Sequence, residues 1–373
     1  MSRNGNERPR VLIAAFSARY ALGQLLDGMF DAVSPRVYCR VLAPTNYRGK
    51  ISGNFIFRAR CGRTKIGGLF ASISPLAHWD TIRALRLSRP DVVHILAGEG
   101  YTWAVTLTIA ARLARIPVIV TLHDPEPHPG NVFELLNSVV RRPVLALVQV
   151  IHVLSSQHIA KARNLARNAE VVVISHGNLA AQFTKYCSPK VKRERLLLFF
   201  GRIQSYKGID VLLRALPLLP EDVRLAIAGP GAIEPSIAEM AQSFHGRVEL
   251  HNRYLTEQDV AELMQRAIVV ALPYRHATQS SVPAIAAAFG CRLVATALGH
   301  FNEEIPRLGG LLVPPEDPGA LAAALSAALE QGATPPVMTH TFDELAPRFV
   351  ELYASTQTSR HALSRRPEQG LSP

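Results

Sequence analysis

The segment FFGRIQSYKGIDVLLRALPLL (199–219) gathers the residue types from which a phosphate site can be made. An apolar, strand-like run closes on Gly201, Arg202 follows, and Lys207 and Gly208 open a helical pattern. Two cations beside a helix start suit a diphosphate. The first turn offers unpaired N–H groups and the positive end of the dipole, and the side chains add net charge. The same charge would stabilise a diphosphate as it leaves. On spacing alone, an Arg and a Lys five residues apart also suit a solvated basic loop, so the neighbouring segments have to decide.

Several further residues stand where chemistry could occur. His123 ends the strand-like run VIVTLH, and strand-end residues of an α/β sheet face ligand. Asp124, Glu126 and His128 crowd the turn after it, so an acid or base for an acceptor hydroxyl is at hand. Gln279, Ser280 and Ser281 precede a helical pattern and could bind phosphate or sugar hydroxyls, or simply cap that helix. The first loop, SARYALGQLL (17–26), lies between a strand and a helix. There Arg19 and Gly23 could meet the acceptor or a donor phosphate. It is not G-x-G-x-x-G, so a dinucleotide fingerprint is absent. His176, in ISHG, reads as a turn residue.

The elements that must hold these residues alternate. Short β-branched runs at 11–16, 36–44, 91–96, 117–124, 148–156 and 170–177 are separated by helical stretches. Polar, basic residues 182–195 interrupt the rhythm, and it restarts at 195–203, 223–231, 248–254, 268–274, 292–299 and 309–315. The pattern predicts α/β architecture: two doubly wound, Rossmann-like parallel-sheet domains with ligand at the strand carboxyl ends, in a cleft between them. The first spans 1–185 and the second spans 195–340. A helix over 341–356 returns to the first domain, and a disordered tail covers 357–373.

The chain has 373 residues, 48% of them hydrophobic, enough for two cores and incompatible with a mainly disordered protein. Residues 1–190 hold 24 basic and 10 acidic residues, and residues 191–373 hold 17 and 19. The basic half includes Arg58, Arg60, Arg63 and Lys65, then Arg83, Arg86 and Arg89, then Arg141 and Arg142. Its partner is read as an anionic membrane surface. Nucleic acid is disfavoured, because no nucleic-acid module and little aromatic interleaving are present. Four scattered cysteines suggest neither a disulfide scaffold nor a zinc site and fit a reducing cytosol. The longest apolar stretch is shorter than the roughly 20 residues of a spanning helix.

At GRIQSYKGIDVLLRAL the chain resembles the signature of the family 4 retaining glycosyltransferases, which have the two-domain GT-B fold. VRLAIAGPG, LTEQDVAELMQRAIVVALPY and AFGCRLVATALGHFNEEI resemble later segments of that family, and VIVTLHD and VVVISHG match more weakly. The resemblance covers roughly residues 11 to 315. It implies that Arg202 and Lys207 grip the diphosphate of a nucleotide-sugar, with Gly201 at the turn. It implies that His123 lies near the reacting sugar, and that Glu303 holds the family's acidic donor-side position. One departure stands out. The family's two glutamates align here with Ala277 and Ile285, and the segment resembles a subgroup with an A-T-Q-S turn.

The activity implied is a retaining hexosyltransferase that moves a sugar from a nucleoside diphosphate to a lipid-linked or glycan acceptor, in polysaccharide or glycolipid synthesis. It would be cytoplasmic and peripheral on the inner face of the membrane. No D-x-D motif is present, so neither a metal bridge nor a further cofactor is expected. The rival reading is a non-catalytic nucleotide-sugar-binding partner in a polysaccharide synthase complex.

Overall fold

A computed structural model describes residues 8–18, 21–62, 68, 71–123, 132–175, 177–276 and 280–364. The chain forms two compact units, one of residues 1–177 with 342–373 and one of residues 178–341. The first crossing, at 177–178, comes earlier than the basic 182–195 segment suggested. Residues after it belong to the second unit, where Lys185 pairs with Glu257 at 3.0 Å.

Unit 1 carries a seven-stranded parallel sheet. Its strands are β1 (Arg10–Ala15), β2 (Tyr38–Pro44), β3 (Ile56–Ala59), β4 (Val92–Ala97), β5 (Val118–Leu122), β6 (Val150–Val153) and β7 (Glu170–Val173). Their spatial order is β3-β2-β1-β4-β5-β6-β7. The short edge strand β3 has no clear apolar run and was not legible in the sequence. The strand order reverses between β1 and β4, which pair in parallel with Ile13 beside His94. Ligands of open α/β sheets bind at such a switch, outside the strand carboxyl ends.

Alternate residues of β1 serve two cores, which is why the strand reads as one continuous hydrophobic run. Val11, Ile13 and Ala15 face Leu345, Phe349 and Tyr353 of the last helix. Leu12, Ala14 and Phe16 face Trp103 and Leu107. Each large apolar side chain so buried contributes about 1.5–3 kcal/mol, so the last helix, Phe342–Ser364, is integral to unit 1. It extends past the 341–356 read from the sequence. Residues 365–373 lie outside the described residues.

A buried polar chain ties that helix to the sheet. The Tyr353 hydroxyl donates to His94 Nδ1 (2.9 Å), and His94 Nε2–H donates to Thr121 Oγ1 (2.8 Å). Thr121 donates to His152 Nδ1 (2.9 Å), and His152 Nε2–H ends the chain on the Ile174 carbonyl (2.9 Å). A carbonyl can only accept, which sets this direction for neutral rings. Burial holds the His94 pKa far below its ordinary value, and His152 and His123 add to the effect.

Unit 2 carries six parallel strands: β8 (Glu194–Phe200), β9 (Arg224–Ala228), β10 (Val248–His251), β11 (Ala267–Leu272), β12 (Arg292–Thr296) and β13 (Leu311–Val313). Their order is β10-β9-β8-β11-β12-β13, so this sheet switches between β8 and β11. Local signals set its helices. Thr256 and Asp259 form a reciprocal capping box on Glu257–Arg266. Asp317 accepts from the Ala320 N–H (2.8 Å) at the start of Pro318–Gln331.

Candidate functional site

The switch in unit 2 places two loops side by side. One leaves β8 through Gly201, Arg202 and the single turn Ser205–Lys207; the other leaves β11 through Pro273, Tyr274 and Arg275. Arg275 N–H bonds the Tyr206 carbonyl at 2.7 Å and stitches them together. The approach demands glycine. Gly208 has φ 66°, and a Cβ there would lie 1.9 Å from the Pro273 carbonyl oxygen.

Lys207 is buried, yet no carboxylate pairs with it among the described ion pairs. Its Nζ donates to the Tyr274 hydroxyl at 2.7 Å and sits 4.1 Å from the centre of that ring. Tyr206 lies 5.8 Å away on a second side. The cation is thus flanked by two aromatic rings, with no counter-charge among the described residues. Burial lowers its pKa from 10.5 to about 8; Tyr206 acts the other way, and Arg202 lowers it further. Arg202 is exposed, and no described acid pairs with it. Ser280 reaches the same cage, where its side chain interacts with the Tyr274 phenol. Burial raises the Tyr274 pKa, so this residue is a neutral phenol at physiological pH.

Tyr274 links the two loops and was missed from the sequence. The signal available was its place, directly past the end of a strand beside the switch. Arg275 was also missed, and its role is different. It pairs with Asp210 at 2.7 Å and with Glu316, so its charge is neutralised within the protein.

The structure therefore brings Gly201, Arg202, Lys207 and Ser280 into one neighbourhood. Ser281 stands at the N-cap of the helix Val282–Ala288 but makes no side-chain cap bond; the Val282 N–H donates to Ser280 Oγ at 3.3 Å. Gln279 and Ala277 lie outside the described residues. Ile285 is buried in that helix and belongs to the core. Glu303 is exposed on the first turn of Phe301–Arg307 and has no described contact with Arg202 or Lys207. The helix that carries it does touch the cage, since Phe301 packs on Tyr274 with ring centres 5.4 Å apart.

In unit 1, His123 follows β5, half-buried, and its Nε2–H donates to the Leu96 carbonyl at 2.8 Å. This leaves Nδ1 as the ring's acceptor in the neutral form. Arg19, Asp124, Glu126, His128 and His176 lie outside the described residues. Gly23 is corrected. It is not in a loop but in the first turn of the helix Ala21–Val33, where a Cβ would lie 2.9 Å from the Ala18 carbonyl oxygen. The reason is close passage of the preceding backbone.

Comparison with known proteins agrees with this architecture. The family described as Glycosyl transferase 4-like domain matches residues 18–177, and Glycosyl transferases group 1 matches residues 194–331. A D-inositol 3-phosphate glycosyltransferase of Xylanimonas cellulosilytica is 32% identical over 182 residues, 45% of this chain and 44% of that protein. The chain thus spans less than half the length of this curated relative. The catalytic domain of Starch Synthase IV from Arabidopsis thaliana, bound to ADP and acarbose, superposes with a TM-score of 0.69 at 13% identity, covering 94% of this chain and 100% of that one. Sucrose-phosphate synthase from Thermosynechococcus elongatus gives 0.64 at 17% identity, covering 96% and 99%. At such identities these two likenesses establish the fold, which is GT-B.

Proposed function

We propose, from the premise that this chain belongs to the GT-B glycosyltransferases of family 4 type, that it moves a sugar from a nucleoside-diphosphate sugar to an acceptor. The observation that carries the reading is the pair Arg202 and Lys207: two cations at a sheet switch with no described acid to neutralise them. A buried ammonium without a counter-charge is costly to keep, and a diphosphate would supply what is missing. As the glycosidic bond breaks, negative charge grows on the leaving oxygen, where the guanidinium and ammonium act most strongly. Ser280 and the adjoining turn would meet phosphate or sugar hydroxyls, and Glu303 the donor side. His123 Nδ1 would face the reacting sugar.

The finer reading has the anomeric configuration retained, a hexosyl group transferred, and an acceptor that is lipid-linked or a glycan in polysaccharide or glycolipid synthesis. The enzyme would work in the cytoplasm, held on the inner face of the membrane. No helix of the described residues is long and apolar enough to cross a bilayer. No cofactor beyond the donor is needed in this scheme.

One observation favours a second reading, a nucleotide-sugar-binding partner without turnover. Ile285 is a buried core residue where the family carries a glutamate.

The test is a panel of nucleoside diphosphates and nucleotide-sugars screened by thermal shift and then by turnover. A ligand at 100 times its Kd stabilises the native state by about 2.7 kcal/mol, well within reach of a melting curve. A shift abolished in Arg202→Ala supports the site, and turnover separates the two readings. No shift with any nucleotide overturns both.

A further inference from the structure

The helix Pro75–Ser88 of unit 1 leaves uncovered side chains that a protein in water ordinarily buries. Ile73, just before it, is 79% exposed and Trp79 is 54% exposed, with Leu76 between them. Leu76, Trp79, Arg83 and Arg86 are spaced three or four apart and share one face, while Ala77, Thr81, Ala84 and Leu85 occupy the buried face. Arg83, Arg86 and Arg89 are all exposed, and the Arg86 guanidinium lies 5.9 Å from the Trp79 ring centre.

The adjacent helix, Thr102–Leu113, runs alongside in register. Thr102 donates to the Ser72 carbonyl (3.1 Å), and His78 Nδ1 bonds Thr106 Oγ1 (2.7 Å). That register carries Arg112, Leu113 (82% exposed) and Arg115 toward Arg86 and Arg89. The one acid on the helix, Asp80, is taken up by Arg60 at 2.7 Å.

We infer that this face docks on an anionic lipid bilayer. Trp79, Leu76 and Ile73 would sit at the boundary of headgroups and acyl chains, with the arginines on lipid phosphates. Charge complementarity selects this occupant. A second copy would bring five arginines against five others. The placement is useful as well: Thr102 follows closely on β4, so the apolar end of the face borders the sheet end where His123 lies. The inference rests on the reading of a membrane-side acceptor given above, and its test uses neither donor nor acceptor.

The chain has two tryptophans, and the other, Trp103, is 1% exposed in the core, so Trp79 reports on this face. The full chain is titrated with phosphatidylcholine vesicles with and without phosphatidylglycerol. The expected result is a blue shift of emission with the anionic vesicles alone, weakening as salt rises. Trp79→Phe should lose the shift. Each exposed arginine near the surface is worth about five-fold in binding, so R83Q with R86Q should weaken it roughly thirty-fold. Leu113→Ser, on the other helix, should weaken it with the fold equally intact. None of these variants should alter the nucleotide-induced melting shift, which keeps failure here distinct from failure of the proposed activity. The inference is overturned by vesicle binding without a Trp79 shift, by equal binding to neutral vesicles, or by unchanged binding of the double variant. A Trp79 shift that follows protein concentration without vesicles would also overturn it, in favour of self-association.

Discussion

Unit 2 handles its cations in two opposite ways. At the amino ends of its strands, Arg266 meets Glu194 at 2.7 Å and Glu249 at 2.8 Å, and Arg224 joins them through Glu249 at 2.6 Å. The result is a closed network. Its glutamates are held below their ordinary pKa, first of all by hydrogen bonds from Arg266. At the carboxyl ends, Arg202 and Lys207 have no described acid, and Lys207 is buried against the Tyr274 ring. The first arrangement neutralises its charges internally; the second has no described acid and would be completed by the anion proposed above. The difference teaches that charge alone does not mark a binding site. Arg275, one residue from Tyr274, is fully engaged by Asp210 and Glu316.

The sharpest way to break this comparison is to delete Arg202 and Lys207, the cations with no described acid. Lys207→Ala and Arg202→Ala should each lower donor kcat/KM ten- to a hundred-fold, the value of a charge-assisted contact of about 1.5–3 kcal/mol. Neither should lower the melting temperature, and Lys207→Met should raise it, because an uncompensated buried charge is removed. Arg202→Lys should rescue only in part, since a point charge lacks the guanidinium fork. Full activity in both Ala variants, assayed with a donor the wild type turns over, would place the diphosphate elsewhere.

The mirror experiment is Arg266→Ala. It should cost about 2 kcal/mol of stability, by denaturant melts, because Glu194 and Glu249 lose the hydrogen bonds from Arg266 and keep Arg224. Donor kcat/KM below the melting range should stay near wild type. A loss of activity without a loss of stability would erase the distinction drawn here.

The pH profile gives a subtler test. The folded Lys207 pKa, about 8, lies below its ordinary value of 10.5. The sign follows from linkage. The penalty for the buried ammonium is present below about 8 and is relieved as pH climbs toward 10.5, so the free protein should gain stability there. In the proposed site the donor diphosphate needs the ammonium, so affinity should fall by up to about ten-fold per pH unit above the break. Tyr274→Phe keeps the ring and removes the acceptor oxygen. It should lower affinity a few-fold, the value of one neutral hydrogen bond, and move the break to lower pH. An unshifted break would show that the Tyr274 hydroxyl does not hold the lysine.

Much of this was legible in the sequence. Parallel strands covered on both faces read as continuous apolar runs, as β1, β4 and β11 do, so the doubly wound class follows from pattern alone. The places of Gly201, Arg202, Lys207 and Ser280 in the fold were also readable, since each lies at the end of such a run or just before a helical one. What the sequence did not carry was partnership. Arg202 and Arg275 look alike in one dimension, and only the folded chain puts Asp210 and Glu316 beside the second. Tyr274 is unremarkable until the switch between β8 and β11 sets it 67 residues away in sequence from its lysine, at 2.7 Å. Gly23 looked like loop because sequence shows only permissiveness, and the close approach of the Ala18 carbonyl, five residues earlier, is set by how the chain enters the helix. Strand and helix follow from local periodicity, which side chains declare over a few residues. Whether a charge is satisfied depends on residues far along the chain, and that was decided by the order in which the strands pair.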